Sequence, residues 1–68
     1  DERYYNVVRD MFNSETAKKF FNPEIITGFL DEHFSGKEDN SRKVWTIYIF
    51  LVWYEIYFEG KYDPEKGE

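Results

Sequence analysis

The sequence predicts an all-α chain, and three observations carry that prediction. Apolar side chains recur at three- and four-residue spacing through the first half. Helix start and stop signals punctuate the chain: Asn22-Pro23-Glu24 opens one segment and Gly36 closes it. The apolar run Val44–Phe58 holds no turn residue and is longer than an ordinary strand. Helices are therefore expected near 3–12, 23–34 and 42–58, with room for a short fourth at 15–20, in orthogonal or bundle-like packing.

In the first helix Tyr4, Val7, Val8 and Met11 share a face, with Tyr5 and Phe12 beside them. Asn13-Ser14 breaks that pattern. Ser14 is a candidate cap for 15–20, and Glu15 suits the positive end of the helix dipole. At Asn22-Pro23 the proline loses nothing, because its missing N–H would have no intrahelical partner. Ile26, Phe29, Leu30 and His33 then line one face, flanked by Ile25 and Phe34. Gly28 sits inside this helix at a cost of roughly 1 kcal/mol relative to Ala. That points to close approach of a neighbouring helix. Asn40 or Asp39 is placed to cap the last helix.

Val44–Phe58 is rich in β-branched and aromatic residues, which also favour strands. Its length, the cap before it and Gly60 after it favour a helix. Trp45, Ile49, Val52 and Ile56 form one stripe; Ile47, Leu51, Tyr54 and Phe58 form another. A helix apolar nearly all round is normally buried on all sides. Two short helices cover only part of it, so an aromatic remainder is expected at the surface. Trp45, Trp53, Tyr54 and Tyr57 are the candidate interface residues. Such a patch suits a partner or self-association.

The chain has 68 residues, enough for one small domain, and no cysteine, so neither disulfides nor thiolate metal sites staple it. Its net charge is −5, and its basic residues are scattered, which argues against nucleic-acid binding. Val44–Phe58 falls short of the roughly 20 residues needed to cross a bilayer and carries Glu55. No basic start followed by an apolar run marks a secretory signal. A cytoplasmic location is expected. The charged stretch 60–68, with Pro64 and Gly67, is expected to be a disordered tail after a helical unit at 1–59.

No glycine-rich phosphate loop is present, and no catalytic, cofactor or metal residues are assigned. Asp31, Glu32 and His33 are consecutive, so on a helix they point in different directions and do not converge on one ion. His33 reads as a structural histidine. Glu55 has two readings: a buried acid with a raised pKa, or a carboxylate facing solvent or paired with a base from another helix. Trp45 and Trp53 either flank a ligand or belong to core or interface.

Phe21–Phe58 reads FNPEIITGFLDEHFSGKEDNSRKVWTIYIFLVWYEIYF. Its order FNPE, LDEH-SGK, DNSRK-W and a second W resembles the C-terminal helical end of the asparagine synthase family. The family usually shows an acid one turn before the position of Glu55, just before the second Trp, where this chain has Leu51-Val52-Trp53. The resemblance implies a packing role for His33 and a non-catalytic segment of a larger, ATP-dependent synthetase. That parent would form asparagine from aspartate and glutamine-derived ammonia, using ATP and Mg. Its Ser-Gly-Gly loop and N-terminal cysteine nucleophile are absent here. The start at DERYY, without Met, reads as an excised piece. Relatives with the same end include β-lactam synthetases and lasso-peptide cyclases. The alternative is a free-standing helical protein–protein interaction module.

Overall fold

A computed structural model describes residues 2–60. Four helices follow in order: α1 (Glu2–Phe12), α2 (Glu15–Phe20), α3 (Pro23–Ser35) and α4 (Ser41–Tyr57). No strand occurs among the described residues, so the Val44–Phe58 run is helical despite its strand-like composition. The tail expected at 60–68 lies, past Gly60, outside the described residues.

Local chemistry sets the boundaries. Ser14 Oγ accepts the Ala17 N–H at 3.1 Å and donates to the Met11 carbonyl at 2.7 Å, closing α1 and opening α2. Asn22 Oδ1 accepts the Glu24 N–H at 2.9 Å, with Pro23 as the first residue of α3. Gly36, at φ 82°, ends α3 in the left-handed region that favours glycine. The Lys37 N–H reaches the Glu32 carbonyl and the Gly36 N–H the His33 carbonyl, the paired bonds of a Schellman stop.

α4 packs against α1, α2 and α3 alike, and α1 also packs against α2 and α3. The core is Val8 and Phe12 from α1, Ala17 from α2, Ile26 and Leu30 from α3, and Val44 and Leu51 from α4. Tyr5, Met11, Phe21, Phe29, Ile47, Tyr48 and Phe50 close around it. Burial of Phe12, Leu30 or Leu51 stabilises the fold by roughly 1.5–3 kcal/mol each.

Two sequence expectations need correction. The buried face of α1 is centred on Val8 and Phe12, while Tyr4 and Val7 are exposed. The i, i+4 pair at 8 and 12 meets the other helices, and Tyr4 instead leans its ring on Phe34 at 5.7 Å. Gly28 makes no close helix approach: a Cβ built there meets nothing within 4 Å.

Candidate interface on α4 and the corner that holds it

α4 divides lengthwise. Val44, Ile47 and Leu51 point inward, with Tyr48 and Tyr54 half-buried beside them. Trp45, Ile49, Trp53 and Tyr57 follow one another at four-residue spacing, and each stands between 44% and 70% exposed. The helix is therefore not buried on all sides. The stripe through Ile47, Leu51 and Tyr54 is the inner one, and the stripe containing Trp45 and Ile49 is the outer one.

Of the four candidate interface residues, Trp45, Trp53 and Tyr57 share the outer row, and Tyr54 does not. Tyr54 meets Phe20 edge-on at 4.9 Å and stacks on Phe58 at 5.1 Å. It links the outer rings to α2. Phe50, Trp53, Tyr57 and Phe58 extend the same ring network, with Trp53 and Phe58 at 5.1 Å. Phe20 and Phe58, also exposed, widen the patch beyond the residues singled out from sequence. Phe20 lay in a segment too short to show a face, so its sequence gave no signal of this role.

The C-terminal end of α4 is tied to α2. Thr16, fully buried, donates its hydroxyl to Glu59 Oε1 at 2.7 Å. Lys19 binds the other oxygen of Glu59 and lies 5.5 Å from the Tyr54 ring centre. That contact with Glu59 raises the Lys19 ammonium above its ordinary pKa of 10.5.

The N-terminal end is held by a polar corner between α3 and α4. Asn40 is 7% exposed, and its Nδ2 donates to the Phe29 carbonyl at 3.0 Å and to Glu32 Oε1 at 3.2 Å. Its backbone N–H donates to His33 Nδ1 at 3.3 Å. Asn40 is the N-cap residue of α4, its carbonyl accepting the Val44 N–H at 2.8 Å, but its side chain makes no cap bond; Asp39, one residue earlier, accepts the Ser41 N–H on Oδ1 at 3.1 Å. Hydrogen bonds from Ser41, first from its backbone, hold the Asp39 carboxyl below its ordinary 3.8, and nearby His33 adds to this. Lys43 Nζ sits 4.2 Å from the Phe29 ring centre and caps the same junction.

At the far edge of α3, Tyr5 donates its hydroxyl to Asp31 Oδ1, and this bond raises the Tyr5 hydroxyl above 10.0. Asp31, Glu32 and His33 thus serve three different contacts. Glu55 is half-buried and engaged. Among the described residues no group of three His, Cys, Asp or Glu side chains is placed to hold a metal ion. No helix among them is long and apolar enough to cross a membrane.

A family model described as asparagine synthase matches residues 1–55. The chain belongs to the asparagine synthase family. It is 34% identical over 59 residues to "Asparagine synthetase (glutamine-hydrolyzing) 1" of Bacillus subtilis (strain 168), a match covering 87% of this chain and 9% of that protein. It is 44% identical over 39 residues to the "Putative asparagine synthetase (glutamine-hydrolyzing)" of Mycobacterium bovis, covering 57% of this chain and 6% of that one. The protein of the same name from Mycobacterium tuberculosis (strain CDC 1551 / Oshkosh) matches to the same extent. No solved structure matches. The chain thus spans less than a tenth of the length of these curated synthetases. Within this asparagine synthase segment, Glu32, His33, Gly36, Asp39 and Asn40 of the LDEH-SGK-DNSR motif all make hydrogen bonds around the turn from α3 to α4.

Proposed function

We propose that this chain is a structural, non-catalytic segment of an asparagine synthetase. The parent enzyme joins ammonia, released from glutamine, to the side chain of aspartate at the expense of ATP and magnesium. Those ligands bind in other parts of the parent, in the cytoplasm, and this segment supports the fold that holds them. The observation that carries the reading is the corner: its motif residues are engaged in holding α3 to α4, with Asn40 at the centre.

The test uses the full-length synthetase that contains this chain. Asn40→Ala removes the bonds from a mostly buried amide to the Phe29 carbonyl and to the exposed Glu32 carboxylate, a cost of roughly 0.5–1.5 kcal/mol each. The variant melts at a lower temperature and keeps the parent's kcat and KM values while folded. Loss of turnover at an unchanged melting temperature would give the corner a catalytic role and overturn the reading.

A further inference from the structure

From the outer face of α4 we infer an intramolecular seam: the row Trp45, Ile49, Trp53 and Tyr57 docks a helix from the remainder of the same synthetase chain. The inference rests on the segment reading above and names the partner of that segment.

Four observations carry it. The row is exposed along its whole length, and from first to last residue it runs roughly 18 Å at 1.5 Å per residue. It carries no charged residue: the row is Trp45, Ile49, Trp53 and Tyr57, and no Asp, Glu, Lys or Arg lies between Lys43 and Glu55. An occupant must therefore be apolar where it touches, which excludes phosphate backbones and acidic peptides. Next to the exposed row runs a second one, Tyr48, Val52 and Ile56, which is half-buried. The two i±4 rows bound a shallow apolar groove, the shape that accepts the i±4 ridge of another helix at a crossing near −50°. Finally, the matched 59 residues make up 9% of the Bacillus subtilis synthetase, so in such a protein most of the chain is available to supply that helix.

A second copy of this chain fits less well. Its own outer row is bulky at three of four positions, Trp45, Trp53 and Tyr57, so a shallow groove would have to take large rings almost throughout. A ridge of smaller aliphatic side chains from elsewhere in the parent enters the groove between the rows.

The experiment is hydroxyl-radical footprinting of the full-length synthetase that contains this chain, read by mass spectrometry against the same peptides in the denatured protein. A seam slows oxidation of Trp45, Trp53 and Tyr57 by about tenfold or more, because the centre of a packed interface excludes water. Rings standing in solvent at their present exposure are slowed only about twofold, and that result overturns the inference. Protection that rises with protein concentration, in step with an oligomer seen by sedimentation, assigns the face to a second copy and overturns it equally. Ile49→Asp puts a charge in the middle of the row and restores oxidation at Trp45 and Trp53. Protection that survives Ile49→Asp counts against the seam. The outcome is independent of the Asn40→Ala result: open rings in an enzyme whose Asn40→Ala variant loses only stability remove the seam and leave the segment reading standing.

Discussion

Asn40 shows how one side chain fixes a junction. An alanine there would lose the bonds to the Phe29 carbonyl and Glu32 Oε1 and keep the backbone N–H bond to His33. Phe12 is the largest fully buried side chain among the described residues. Phe12→Ala is expected to cost about 3–5 kcal/mol. A chain this size has a stability of the same order, at roughly 0.05–0.15 kcal/mol per residue. The isolated Phe12→Ala chain should therefore lose most of its helical circular dichroism at 25 °C. Two glycines give opposite signs. Gly28 has helical backbone and open space where a methyl would go, so Gly28→Ala should stabilise by about 0.5–1 kcal/mol. Gly36 holds φ at +82°, so Gly36→Ala should destabilise by about 1 kcal/mol. Thermal melts of the two variants, shifted in opposite directions, check both.

At the level of elements, α2 and α3 each start on a short side-chain cap, from Ser14 and Asn22. Ser14→Ala removes the α2 cap and should cost about 1 kcal/mol, measurable as a lower urea midpoint. Helix boundaries were legible because caps, proline and glycine act locally: Ser14, Asn22-Pro23 and Gly36 do in space what their positions announce. The core face of α3 was equally readable, since Ile26 and Leu30 recur one turn apart. The orientation of α1 was not, because Tyr4, Val7 and Val8 are all apolar and only tertiary contact selects among them. The candidate interface was legible in outline. An all-apolar α4 announced excess surface, and Trp45, Trp53 and Tyr57 stand on it. Which of its two stripes faced outward depended on how the shorter helices lie across it. The corner at Asn40 was hidden because its bonds join residues up to 11 positions apart across a turn.

For the molecule as a whole, titration gives a two-sided profile. Tyr5 and Lys19 have folded pKa values raised above 10.0 and 10.5. The folded state holds those protons more tightly, so the stability they contribute is complete below about pH 10 and is lost as pH rises through the raised values. Asp39 behaves oppositely: its folded pKa lies below 3.8, so its contribution is present above that value and is lost on acidification through the lowered one. Stability should thus decline at both ends of a pH series followed by chemical denaturation. Tyr5→Phe should reduce the alkaline decline, and Asp39→Asn the acid one.

Thr16 and Glu59 lie 43 positions apart, yet one hydrogen bond joins them. That bond makes most of the chain a closed circuit, with α2 fastened from outside. A six-residue helix has almost no persistence of its own in water. Amide exchange in α2 should therefore report the opening of this clasp and not the melting of the core. Replacing Glu59 by alanine should let α2 exchange deuterium first, while amides in α3 and the inner turns of α4 keep their protection. Equal acceleration across all four helices would mean that the clasp and the core open as one unit.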